Sequence, residues 1–163
     1  METSRSTPSH NIPAMIVGVV AVITATLGIL YSASTIFSVM QGSASALVDQ
    51  RDWPYFYQAF FIMSAICMAC YLILIVCGIN LVRSRLSSSR LVTLVLLFEV
   101  GYLFAIGTLW LEPTFGPSIA AATGVANGGM MIQMIILLPL WGPLLLWWAN
   151  KRAPLTPVAE LTA

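Results

Sequence analysis

Four long apolar segments dominate this sequence. They cover residues 13–40, 55–82, 91–111 and 120–149. Glu99 is the only charged side chain inside any of them. Each segment meets or exceeds the ~20 residues that a helix rising ~1.5 Å per residue needs to cross a ~30 Å hydrocarbon layer. We therefore predict four transmembrane helices whose side chains mostly face lipid rather than water.

The composition excludes a water-soluble fold. Hydrophobic residues make up 59% of the chain and charged residues 8%, against roughly 45–50% and ~25% in soluble domains. The longest connection between segments, residues 41–54, is far shorter than the ~50 residues of the smallest ordinary domains. We predict one transmembrane domain over 13–149, with short tails at 1–12 and 150–163.

Positive charge in the short connections predicts the orientation of the helices. The connection between the second and third segments carries three arginines and no acid, and the C-terminal tail begins with Lys151 and Arg152. Lys and Arg near membrane segments favour the cytoplasmic side. Short connections also make consecutive helices antiparallel neighbours. The sequence thus predicts an all-α, up-down-up-down four-helix transmembrane bundle with both termini in the cytoplasm.

Two further sequence features concern location and partners. No Asn-x-Ser/Thr glycosylation sequon is present, which favours the cytoplasmic membrane of a bacterium. The net charge of +1 is spread over several connections and forms no basic stripe of the kind that nucleic-acid binding requires. The predicted surroundings are therefore a lipid bilayer and other membrane proteins, with no role for nucleic acid.

Small residues recur on one face of the first and fourth helices. The fourth helix has such residues at every fourth position, and the first has them on a single face; they are Ala120, Gly124 and Gly128, and Ala21, Ala25 and Gly28. Small residues let helices approach closely in lipid, where the hydrophobic effect does not drive association. We predict that the two stripes pack together. The alternative is that the stripe of the fourth helix faces another subunit in a homo-oligomer.

Two prolines predict a kink in the second half of the fourth helix. Pro139 and Pro143 each lack a backbone N–H, and each ring crowds the carbonyl four residues earlier. A shaped helix end is one interpretation of this pair, and a hinge for gating is the other, because membrane helices tolerate proline without moving.

Glu99 is the residue that most strongly raises a functional hypothesis. A charged side chain at the bilayer centre costs on the order of 2.5–3.5 kcal/mol on insertion scales. The four segments contain no Lys, Arg or His, so we expect Glu99 to be protonated and to hydrogen-bond inside the bundle. Helix geometry places four other polar side chains at similar depth; these are Tyr102, Gln133, Tyr71 and Thr24.

Three interpretations of Glu99 remain open on the sequence alone. It is an interhelical hydrogen-bonding group, a proton-carrying or ligand-binding acid, or a side chain that faces lipid. The first fits a non-enzymatic accessory protein or a self-associating bundle, which is the function we predict. The second fits a small oligomeric transporter or channel, which is the alternative.

The sequence offers little support for an enzyme or a metal site. Cys67, Cys70 and Cys77 lie in the second helix, where burial favours the packing role of a neutral thiol. A soft-metal site with Met63 and Met68 is the alternative. The single histidine lies in the N-terminal tail, and no Gly-x-Ser-x-Gly or Gly-rich phosphate motif occurs. We therefore predict no catalytic residues, no metal and no cofactor, and an enzyme acting on lipid or quinone lacks a visible catalytic set.

Overall fold

The computed structural model describes residues 11–41, 56–109, 122 and 126–152. Within these residues the chain is helical and has no strand, which confirms the all-α class. The helices are α1 (Ile12–Gln41), α2 (Phe56–Val82), α3 (Ser89–Leu109), α4 (Gly128–Ile135) and α5 (Leu138–Arg152), with a 3-10 turn at Leu86–Ser88. The predicted connections on the outer side and most of both tails lie outside the described residues.

Three segments are long and apolar enough to cross a membrane. They are Ile12–Gln41, Phe56–Val82 and Leu86–Ile106, the last of which begins in the 3-10 turn and continues through α3. Taken together, α4 and α5 pass the same test as a fourth, broken span. By length and composition, the described helices therefore supply three spans, or four if the bent pair crosses as one.

A left-handed serine ends α2. Ser84 has φ 60°, its N–H donates to the Leu81 carbonyl at 2.9 Å, and the N–H of Arg85 donates to the Asn80 carbonyl at 2.9 Å. This pair of bonds is the Schellman pattern, which satisfies the last carbonyls of a helix and reverses the chain. The reversal brings α3 back beside α2.

Each helix packs against at least two others. α1 contacts α2, α4 and α5, while α3 contacts α2 and α5. At one end of the molecule, the Asn150 side-chain amide donates to the Ser89 hydroxyl at 2.9 Å, and that of Asn11 donates to the Ala149 carbonyl at 3.3 Å. The start of α1, the start of α3 and the end of α5 therefore meet at this end, together with the turn between α2 and α3.

The fourth apolar segment breaks where we expected a kinked but continuous helix. Its two described helices are bent by 60°, and Leu137 between them has φ 56°. Pro139, the second residue of α5, cannot donate a backbone hydrogen bond to the carbonyl of Ile135, so the chain ends one helix and begins another. The Trp141 indole N–H donates to the Ile136 carbonyl at 2.8 Å and satisfies it at the break. Pro143 lies inside α5 without ending it.

Polarity is distributed in the opposite way to a water-soluble protein. Large apolar side chains such as Ile23, Leu30 and Leu94 are exposed on the outside of the helices, while Glu99 and Gln133 are fully buried. Water would favour the reverse arrangement. Both features are those that an apolar solvent favours, because polar groups are costly in contact with hydrocarbon and apolar groups are not.

Candidate polar centre

Several polar side chains are buried in the middle of the helix assembly, and we call this group the polar centre. Glu99, Gln133 and Tyr71 are 0% exposed, and Thr24 is 4% exposed. The other buried members are Ser32, Ser64 and Asn127. The structure therefore buries four of the five predicted polar residues, while the fifth, Tyr102, is partly buried.

Glu99 is fully buried on α3, one helical turn after Val95, which lines the groove between α2 and α3. Neither carboxyl oxygen has a hydrogen-bond partner among the described residues. No described residue supplies a buried cation either, since every described Lys or Arg lies at the ends of the helices. Glu99 is thus a buried acid without a hydrogen-bonding or ionic partner among the described residues.

Tyr71 is held between two glycines from different helices. A Cβ added to Gly28 of α1 would lie 2.7 Å from the Tyr71 ring. A Cβ added to Gly129 of α4 would lie 2.5 Å from the Gly28 Cα and would also strike the Tyr71 hydroxyl. Both distances are shorter than van der Waals contact, so only glycine fits at these two positions. The phenol of α2 therefore fills a slot made by α1 and α4, and its hydroxyl has no hydrogen-bond partner among the described residues.

A second polar group joins α2, α3 and α4. The Cys67 thiol donates to the Asn127 side-chain oxygen at 2.7 Å. The Tyr102 hydroxyl donates to the Met63 sulfur and also approaches Cys67 and Asn127. The sequence predicts that Tyr102 belongs to the polar centre, but the prediction does not include Asn127. The available signal was that Asn127 and Gln133 are the only carboxamides in the fourth segment.

Thr24 and Gln133 differ in their hydrogen bonding within the polar centre. The Thr24 hydroxyl donates to the carbonyls of Val20 and Ala21 in its own helix, at 2.9 and 3.3 Å, so it does not link helices. Gln133 lies fully buried on α4, and both atoms of its amide lack a partner among the described residues. Gln133 therefore adds unsatisfied hydrogen-bonding capacity to the centre, whereas Thr24 adds none.

The small-residue contacts differ in detail from the predicted stripes. Ala21 and Ala25 are fully buried on α1, and Gly28 meets Gly129 rather than Gly128. Gly128 instead lies against the ring of Tyr31. Ala120 and Gly124 lie outside the described residues.

A glycine contact that sequence analysis missed joins α1 to α2. A Cβ on Gly18 would lie 2.7 Å from the Gly78 carbonyl oxygen, and one on Gly78 would lie 2.9 Å from the Gly18 carbonyl oxygen. The two backbones therefore touch at this point. Gly18 lies three residues before Ala21 and extends the small-residue face of α1, while Gly78 is the only glycine of α2.

The cysteines and the surface grooves are the remaining places where a metal or ligand could bind. In the described part of the chain, no group of three or more His, Cys, Asp or Glu side chains has the geometry to hold a metal ion. Cys67, Cys70 and Cys77 are buried free thiols. Three surface grooves lie between α3 and α5, between α2 and α3, and along α5. Glu99 lines none of these three grooves.

These observations define a class rather than a particular protein: an all-helical chain with three or four helices able to span a membrane and a polar interior. Set against known protein families, curated proteins and solved structures, the chain matches none of them.

Proposed function

We propose that the protein is a multi-pass membrane protein in which α1, α2, α3 and the broken pair α4–α5 form an up-down-up-down four-helix bundle. The exposed apolar surface supports insertion in lipid. The described basic residues gather at the end where α3 begins and α5 ends, which supports a cytoplasmic location for that end and for both termini. The membrane proposed is the cytoplasmic membrane of a bacterium.

A topology measurement tests this arrangement. Reporter enzymes fused after Arg85 and after Lys151 should be active only in the cytoplasm, while a reporter in the 42–54 connection should be active only outside. Reporters on the same side at Arg85 and in the 42–54 connection would contradict the proposed topology.

Within that architecture, we propose a non-enzymatic role as an accessory or self-associating membrane protein. The observation that carries this proposal is the complete burial of Glu99 inside the helix assembly, outside the lining of each of the three grooves. An acid that serves transport must meet a solvated path at some stage of the cycle. A fully buried acid instead fits a protonated group packed between helices.

Association with a partner would use the outer surface of the bundle. The glycine contacts of α1 with α2 and α4 are occupied inside the chain. Gly101 on α3 is different, because a Cβ there would meet nothing within 4 Å. Light scattering of the protein purified in mild detergent measures the outcome. We expect a protein mass above the 17.7 kDa of one chain, and a monomer purified without partners would contradict the proposal.

A small oligomeric transporter or channel is the second candidate function. The observation that favours it is the concentration of buried polar atoms without described partners on Glu99, Gln133, Tyr71 and Asn127. Such atoms are costly in a dry interior and are satisfied by water or a polar ligand. The break at Leu137 would supply the moving element.

Proton flux into liposomes separates the two functions. Native protein and Glu99→Gln are reconstituted at equal density, with protein-free liposomes as the baseline. The accessory role includes no proton path, so it predicts that both proteins match the baseline. Gln keeps the size and hydrogen-bonding capacity of a protonated acid, so we expect the variant to fold like the native protein. Flux above the baseline that disappears in Glu99→Gln would contradict the accessory role and support transport.

A further inference from the structure

The largest of the three grooves lies between the start of α3 and the end of α5. It has a volume of about 420 Å³. Leu94, Pro143 and Trp147 give it an apolar side, and Arg90 and Thr93 give it a polar side. The groove is therefore amphipathic, with its charged part at the end of the molecule and its apolar part directed towards the middle of α3.

The two helices that form the groove are fixed to each other at its polar end. The Asn150 side-chain amide donates to the Ser89 hydroxyl at 2.9 Å, and both residues line the groove. Ser89 is 1% exposed, so this bond lies beneath the surface. The opening between Arg90 and Trp147 is thus held by a direct contact between helices.

Among the described residues, the surface charge around this groove is positive. Arg83, Arg85, Arg90 and Lys151 are all exposed at this end, and the Lys151 ammonium lies 4.3 Å from the centre of the Trp147 ring. Among the described residues the only acid is Glu99, which is fully buried. An anionic group in the groove would therefore meet cations without competition from a described carboxylate.

We propose that this groove binds one anionic phospholipid, with its phosphate at Arg90 and an acyl chain along Leu94, Pro143 and Trp147. Arginine binds phosphate through several N–H donors in a fixed geometry. Tryptophan favours the headgroup level of a bilayer, and basic pockets between helices on the cytoplasmic side suit anionic headgroups. A soluble anion would use Arg90 but not the apolar side, so the amphipathic shape favours a lipid.

Electron paramagnetic resonance with spin-labelled lipids tests the proposal on the full chain in phosphatidylcholine bilayers. We expect spin-labelled phosphatidylglycerol to associate with the protein more strongly than spin-labelled phosphatidylcholine. Arg90→Gln should lower this preference by more than the about fivefold that one basic residue near the membrane surface contributes, because it also removes the direct contact with the phosphate. Arg85→Gln is the matched control, because Arg85 is exposed at the same end but does not line the groove, and it should change the preference much less.

A second variant blocks the apolar side without changing charge. Leu94 is 62% exposed, so Leu94→Trp can fill the groove while the helix remains intact, and it should reduce bound phosphatidylglycerol as strongly as Arg90→Gln. This variant decides the matter if Arg90→Gln does not fold. Equal loss in Arg85→Gln and Arg90→Gln, an unchanged preference in Leu94→Trp, or displacement of the lipid by inorganic phosphate would overturn the proposal.

This inference rests on the proposed membrane location and not on the role of Glu99. A negative result in the flux experiment therefore does not bear on the lipid proposal, and a negative result in the lipid experiment does not bear on the role of Glu99. A lipid preference that survives in Glu99→Gln would support the groove even if the polar centre carries protons.

Discussion

The first apolar segment forms one uninterrupted helix over Ile12–Gln41, whereas the described part of the fourth forms α4 and α5 with a 60° bend between them. The proline of α1, Pro13, lies in the first turn, where a missing N–H costs nothing. Pro139 lies well inside the fourth segment, where the missing N–H ends the helix. The same residue type is therefore harmless in one segment and decisive in the other.

The two segments also meet each other, and the bend determines how. The straight α1 presents a small-residue face along its whole length, and it contacts both α4 and α5. α4 brings Gly129 against Gly28 in the middle of the molecule, while α5 brings Ala149 to Asn11 at the end. The bent pair therefore packs against the uninterrupted α1 at two separate points, with Tyr71 fixed at the first of them.

The largest expected effect comes from removing the side chain between α1 and α4. Tyr71→Ala should lower the free energy of unfolding by roughly 3–5 kcal/mol, because it leaves an aromatic-sized cavity. Tyr71→Phe is the matched control and should be neutral or slightly stabilising, since the hydroxyl it removes has no described partner. Reversible unfolding in mixed micelles, followed by circular dichroism, measures both. A large loss in Tyr71→Phe would show that the hydroxyl has a partner and that the ring alone does not explain the contact.

The next effect tests the glycine contact itself. Gly129→Ala should destabilise the protein by about 1–3 kcal/mol, because the new methyl group meets the backbone of α1 and cannot rotate away. The same unfolding measurement applies. Gly101→Ala is the control, since its Cβ meets nothing, and better helix propensity should stabilise it by about 0.5–1 kcal/mol. Equal effects at both positions would mean that α4 does not approach α1 this closely.

A smaller effect is expected at the break. Trp141→Phe removes the indole N–H that binds the Ile136 carbonyl, and it should cost about 1 kcal/mol, the usual net value of one hydrogen bond. Trp147→Phe removes an indole from the same helix without affecting the break and should cost less. If Trp147→Phe proves the more damaging of the two, the bond at the break contributes little to stability.

The smallest effect concerns the backbone at the same place. Leu137→Gly should stabilise the protein by about 0.5 kcal/mol, because glycine adopts a positive φ without the cost that leucine bears, partly offset by its greater freedom when unfolded. Leu137→Ala retains the Cβ and should give no gain. A loss of stability in Leu137→Gly, measured as above, would indicate that the bend is not built on a left-handed residue.

Parts of the polar centre followed from the sequence, and parts did not. The sequence predicts a polar layer that contains Glu99 and Gln133, because polar side chains in an apolar span are costly in contact with lipid, and it leaves a lipid-facing Glu99 open as an alternative. Asn127 was not included, although its side chain accepts from Cys67 of α2. That contact depends on which side of the chain around Asn127 faces α2. Hydropathy alone does not encode this orientation.

The glycine contacts were likewise only partly predictable from the sequence. The small-residue face of α1 was visible as a repeat at helical spacing, but its partners were not. The predicted stripe pointed to Gly128, and the structure places Gly129 at the contact and Gly128 against Tyr31. Adjacent helix positions point about 100° apart, so the rotation of the fourth segment about its axis decides which of the two glycines meets α1.

Residue order alone determined that this chain is helical and that long stretches of it suit hydrocarbon. Both properties are local, since helical hydrogen bonds join residues four apart and the transfer of a side chain to lipid depends mainly on that side chain. Tertiary structure alone decided that Tyr71 lies between Gly28 and Gly129, that the fourth segment divides at Leu137, and that Arg90 and Trp147 border one groove. Those features join residues far apart in the chain, so they depend on which helix faces come together.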